Sequence, residues 1–539
     1  MHYIDLSIKK VLPMLVIGMV LLVCVVATGN LKERRYGSTP PVASIGFAWQ
    51  ELTLRLWYAF EGSLWKTGQL ASAAASVVLG SEVGSTGGAG PKTAQAIPVL
   101  TYHRIVGNKS DLNNVTIRNF RDQMLMLKHA GWETITLEEY KEFMEGAREL
   151  PERSFLITFD DGAKESFYPV DPLFSALGYE GAIYVIANAM YTPKSTYYLS
   201  PNELQRMIKT GRWEIGSHSY DGHRPYPTNA AGKTGIFFAD KLWRENDGRL
   251  ETSEEFVARV QKDLSRAKSM LELEFGITVD TFAFPLGNET GIEGAANFPD
   301  GAGITESEAS KLYTLGFLQT DNNGFTFNYP QNLSFIARRI HVDYDWDGAR
   351  LLQELESGLP KELPLEDDFS VDRGWIAAWG ALDMGRNNFS LRANSDASSA
   401  EAFLDGSVLW DNYSFNAALN WQDGSVFLLA DLVNSKTYDT CVFSPGIVRI
   451  QSTRNGETRV LAEKRDPRIA YGSDVRAGIR VHDSVIECLW DFGSIVETYT
   501  RAQAGGIGIQ VWDSELGAAH LQVSEILVRP FNDQEGGAD

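Results

Sequence analysis

The chain runs to 539 residues and sets 49 Lys and Arg against 70 Asp and Glu, a formal charge of −21. That length exceeds one ordinary core and implies two or three domains with ample buried surface. The acidic balance argues against nucleic acid or an anionic lipid surface as the main partner, since phosphate recognition needs clustered Lys and Arg. A neutral polymer stays open: 13 Trp and 20 Tyr offer flat faces for sugar rings, although most such residues build cores.

Val11 to Ala27 form an apolar run of 17 residues, with Lys9 and Lys10 before it and Lys32, Arg34 and Arg35 after it. Residues 1–30 therefore read as a signal peptide or a single membrane anchor. The basic residues that follow, and a weak cleavage site around Ala27 and Thr28, favour the anchor. Val23 precedes Cys24 where a lipoprotein signal needs a small residue, so no lipid attachment is expected. The bulk of the chain is then extracytoplasmic, held at the cell membrane by its N-terminal segment, or secreted if that segment is cleaved. Within residues 31–96, the apolar stretch 47–79 reads as a helix near the membrane, and Gly80 to Pro91 as a flexible linker.

From Ile97 to about residue 360, strand and helix patterns alternate. Val99 to Tyr102 reads as the first strand and Phe335 to Ile340 as a late one, while Phe155 to Phe159, Ala182 to Ile186 and Thr281 to Phe284 are short apolar runs typical of buried parallel strands. Phe120, Met124 and Leu127 mark one helix face. Thr136 with Glu139, Ser200 with Glu203, Thr252 with Glu255, and Thr305 with Glu308 each supply the hydroxyl and carboxylate of a helix start. The longest helix sets Phe256, Val260, Leu264, Ala267, Leu271 and Phe275 at steps of three or four and stops at Gly276. Repeated strand and helix imply an α/β barrel or a doubly wound sheet.

After Pro364 the texture changes to alternating aromatic and polar residues with Gly, Asn and Asp turns. Residues 365–532 read as an all-β sandwich. Cys441 and Cys488 both fall there and are either a disulfide or two buried thiols.

The chemistry sits in three strings. Asp160-Asp161-Gly162 ends an apolar strand; His218 and His223 are five apart around Gly222; Phe284-Pro285-Leu286-Gly287 is a tight turn. Alone, an Asp-Asp-Gly is an ordinary cap and turn, and a lone His is usually a hydrogen-bonded structural residue. Together, two imidazoles and a carboxylate can hold a divalent ion with open positions, while the neighbouring carboxylate acts as base.

In order and wording these strings resemble the polysaccharide deacetylases of the NodB-homology family, over roughly residues 97–358. The resemblance implies a distorted (β/α) barrel of fewer than eight units. It makes Asp160 the general base, and Asp161, His218 and His223 the ligands of a divalent metal, zinc favoured with cobalt or nickel as alternatives. A backbone N–H near Leu286, beside Pro285, would serve the oxyanion. The longer His spacing, and His103 placed just after the first strand, resemble the poly-N-acetylglucosamine deacetylase branch; His103 is then the acid, with His341 in reserve. Two departures stand out. The Arg and Tyr of the family's Arg-x-Pro-Tyr-Gly string are replaced in Ala283 to Gly287, which leaves the usual Arg beside the catalytic Asp without a counterpart there. The usual Leu-x-His near the end of the domain is not evident. The expected function is N-deacetylation of an amino-sugar polysaccharide, poly-N-acetylglucosamine ahead of peptidoglycan or chitin. The rival is a glycan-binding scaffold whose barrel has lost turnover. The C-terminal region resembles the jelly rolls of legume lectins (concanavalin-like) and laminin G-like domains, a likeness that carries fold and not function.

Overall fold

The computed structural model describes residues 92–531 apart from 108–110, 112, 287–296, 321–323, 333–334, 386–388, 500 and 502–503. The membrane segment, membrane-proximal helix and linker expected before residue 92 lie outside the described residues. Among the described residues no helix is long and apolar enough to cross a membrane.

Seven parallel strands close into a barrel: β1 (Ile97–Tyr102), β2 (Ser154–Phe159), β3 (Gly181–Val185), β4 (Trp213–Ser217), β5 (Thr281–Ala283), β6 (Leu315–Thr320) and β7 (Ile336–His341). Closure comes from β1, which pairs with β2 from Val99↔Leu156 to Tyr102↔Phe159 and with β7 at Leu100↔Ile340 and Thr101↔His341. The barrel is distorted where β4 meets β5, since that seam is held by one pair, Phe282↔Ser217. Alternate residues of these strands fill the interior: Val99, Leu156, Tyr184, Ala283, Phe317 and Ala337 form one buried cluster with Leu137, Tyr140, Phe143 and Met144 of the helix Leu137–Met144. His341 ends β7 rather than following it, a shift of one residue from the sequence expectation.

Three of the four expected helix starts carry capping boxes, at Thr136, Ser200 and Thr252. The fourth expectation is corrected. The helix spans Gly301–Ser310, so Thr305 is inside it, with its hydroxyl donating to the Phe238 carbonyl at 2.7 Å, while Glu308 accepts from Lys311 and Gln261. A hydroxyl three residues before a carboxylate caps a helix only when the hydroxyl is free for the backbone; here a tertiary contact takes it. The long helix Ser253–Phe275 buries the predicted face and ends at Gly276 with φ 65°. Residues 167–179 contain the helix Asp171–Leu177, which has Pro172 in its first turn.

Beyond Gly358 the described residues form no further helix. Two antiparallel sheets, of eight and seven strands, enclose a core that includes Phe389, Tyr413, Phe415, Trp421, Ile450 and Ile509. Cys441 and Cys488 are joined as a disulfide across that core, their Cα atoms 5.5 Å apart. Barrel and sandwich meet around Asp405, whose carboxylate accepts from the Thr326 hydroxyl, and around the rings of Phe325 and Phe403, 4.9 Å apart.

Candidate active site

The site stands on the carboxyl ends of the barrel strands, where α/β barrels gather their chemistry. Thr158 and Asp160, two apart, share the side that faces into the barrel, and so does Arg339 of β7. The Arg339 guanidinium grips the Asp160 carboxylate with both forks, at 2.7 and 2.6 Å, and also meets the Thr158 hydroxyl at 3.3 Å. Arg339 is 1% exposed. Burial alone would raise the Asp160 pKa; Arg339, His218 and His103 outweigh it and hold the carboxyl below the usual range.

Adjacent strand residues point to opposite sides, so Asp161 needs a break in the backbone to reach the same cleft. It has one: Asp161 sits at φ 70°, followed by Gly162 at the same angle. Its Oδ1 then lies 3.7 Å from His218 Nε2 and 3.1 Å from His223 Nε2. The two rings are 4.8 Å apart, centroid to centroid. Asp161, His218 and His223 are the set of three potential ligands found among the described residues, their ligand atoms all within 4.8 Å of one another.

The loop that turns His223 back onto His218 is shaped by two residues. Gly222 lies against Phe238 and Phe237, where a Cβ would come within 2.6 Å of a ring carbon. Asp263, on the long helix, accepts from the backbone N–H groups of Tyr220 and Asp221 at 2.9 and 3.0 Å. Burial pushes its carboxyl up to about 6 against those two donors.

These residues fit a divalent ion. Asp161 Oδ1 is buried yet accepts no hydrogen bond among the described residues. The other oxygen accepts from the Tyr197 hydroxyl at 3.1 Å. The Arg104 guanidinium lies over the Tyr197 ring and pairs with Glu165. His218 Nδ1 is 2.8 Å from the Ala283 carbonyl; taken as the donor, it leaves the Nε2 lone pair toward the cluster. Burial pushes the His218 imidazole down to about 4, so it is neutral, as a ligand must be.

His103 follows β1 and His341 ends β7, and their rings are 6.0 Å apart, edge to face. His103 Nδ1 is buried without a hydrogen-bond partner among the described residues. Pro285 and Leu286 follow β5 at the same end of the barrel; Leu286 holds φ 64°, a strained backbone for a branched side chain, and is 37% exposed. Three residues that contact this site escaped sequence reading: Arg339, Tyr197 and Asp263. Only Arg339 left a trace, as a charged residue two places from Ala337 on an interior-facing strand pattern.

Residues 147–293 match the polysaccharide deacetylase family model. A poly-β-1,6-N-acetyl-D-glucosamine N-deacetylase of Escherichia coli K12 is 19% identical over 309 residues, 53% of this chain and 46% of its own. One of Staphylococcus aureus MRSA252 is 23% identical over 206 residues, 35% of this chain and 63% of its own. The chain thus spans about half the length of the Escherichia coli relative. A solved de-N-acetylase from Aggregatibacter actinomycetemcomitans aligns over 48% of this chain and 99% of its own, at 18% identity and a TM-score of 0.41.

Proposed function

We propose that this chain, which carries a polysaccharide deacetylase domain, removes N-acetyl groups from an amino-sugar polysaccharide in a metal-dependent hydrolysis. The observation that carries the reading is the ionised Asp160–Arg339 pair set beside the Asp161, His218 and His223 cluster. A divalent ion held by those three side chains, zinc ahead of cobalt or nickel, supplies a Lewis acid for the amide carbonyl and lowers the pKa of water. Asp160 takes the proton of the attacking water, and Arg339 fixes the orientation of its carboxylate. The Leu286 N–H donates to the acetyl oxygen as charge develops there. His103 gives a proton to the departing nitrogen, with His341 beside it as the alternative donor.

The rival reading, a scaffold without turnover, rested on the replaced Arg and Tyr. Arg339 fills the place of an arginine partner from a different strand, which removes half of that argument. Among substrates, β-1,6-linked N-acetylglucosamine polymer is favoured by the five-residue histidine spacing, by His103 after the first strand and by the names of the relatives. The N-terminal segment would hold the enzyme at the outer side of the membrane. Acetate release by the full chain from N-acetylglucosamine oligomers of β-1,6 and β-1,4 linkage and from peptidoglycan fragments tests the proposal. Release confined to the β-1,6 oligomers supports it; release from peptidoglycan alone would replace the substrate.

A further inference from the structure

One face of the seven-stranded sheet carries polar and aromatic groups that deacetylation does not use. On the strand Ser399–Leu404, Ala400 and Ala402 point into the core, so Ser399 and Glu401 point away from it. The register sets Trp379 and Gln510 directly opposite Glu401 on the two flanking strands, and Trp512 opposite Ser399. Directly paired residues share a face, with Cβ atoms about 4.5–5.5 Å apart. Trp379 and Trp512 are 38% and 41% exposed. The Trp379 indole N–H donates to Ser399 Oγ at 3.1 Å, which leans that ring toward the row of Trp512. Trp379 belongs to the strand at the end of the sheet.

Glu401, between the two tryptophans, is 3% exposed. Among the described residues its carboxyl has no hydrogen bond and no ion pair, and burial alone pushes it up to about 8. A buried carboxyl without a partner is costly. A ligand that brings a cation removes the cost.

We propose that Trp379, Glu401, Gln510 and Trp512 form a binding site for amino sugars with a free amine, the de-N-acetylated form of the polymer. Glu401 pairs with the ammonium group, the two indoles take the apolar faces of pyranose rings, and the Gln510 amide takes a hydroxyl. An N-acetylated residue brings no cation, so the site discriminates product from substrate. The identity of the polymer rests on the deacetylase reading; the preference for an amine rests on the site.

The test is calorimetric titration of the full chain carrying Asp160→Asn with two β-1,6 oligomers of equal length, one fully acetylated and one chemically de-N-acetylated. The expected result is at least tenfold tighter binding of the amine form, a preference erased by adding Glu401→Gln, with weaker binding when Trp379→Ala is added instead. Equal affinity for the two oligomers, or a preference that survives Glu401→Gln, overturns the proposal. Both oligomers are supplied ready-made to a variant without the base, so this outcome is independent of whether the wild-type chain releases acetate.

Discussion

Arg339 reaches Asp160 across 179 positions of sequence, and the pair is what keeps a buried carboxylate charged. Replacing it by Met leaves that charge without a partner, so Arg339→Met should lose about 3–5 kcal/mol of stability in chemical denaturation, together with turnover. Tyr197 acts one step further out. Its hydroxyl occupies one oxygen of Asp161 and leaves the other for the ion, so Tyr197→Phe should weaken zinc affinity by ~10–100-fold, measured by competition with a chromophoric chelator, with the fold's melting temperature little changed. The candidate ligands Asp161, His218 and His223 and the candidate base Asp160, which the structure brings to one place, were legible in the sequence because each lies in a short string whose spacing constrains its chemistry. Arg339, Tyr197 and Asp263 were not, because each acts through a contact that exists only after the barrel closes.

At the scale of elements, helix caps and apolar periodicity located most strands and helices, since these patterns are local. Thr305 marks the limit: the same hydroxyl and carboxylate spacing sits inside a helix when a neighbouring carbonyl claims the hydroxyl. The exposed and buried faces of the sandwich strands likewise needed the register before Glu401 and Trp379 could be seen as partners. Glu401 gives a pH prediction with a definite sign. Its folded pKa of about 8 lies above the ordinary glutamate value of about 4.3, so between those limits the folded state holds a proton that the unfolded state has lost. Stability should therefore fall by a few kcal/mol as pH rises from about 4.5 to 8, and Glu401→Gln should flatten that part of the profile. Tyr438 is the titratable group whose own shift reports Glu401 nearby, and it stays protonated across this range. Urea denaturation of both proteins at several pH values checks it; parallel profiles would contradict a buried, unpartnered carboxyl.

For the whole molecule, the formal charge of −21 and the aromatic content are compatible with the neutral polymer proposed as substrate and the cationic one its deacetylation would leave. The barrel carries the proposed base and ion site, and the sandwich packed against it through Asp405, Thr326 and Phe403 carries the surface proposed to bind the de-N-acetylated polymer. The role proposed for Asp160 is that of a base beside an ion it does not bind. It is tested most directly by measuring metal content and acetate release together, on β-1,6-linked N-acetylglucosamine oligomers, for the wild-type chain and Asp160→Asn. Equal metal is expected in both proteins, with a fall in acetate release of ~10²–10⁴-fold in the variant. A variant that retains full activity, or a fully loaded wild-type protein that releases no acetate, would contradict it.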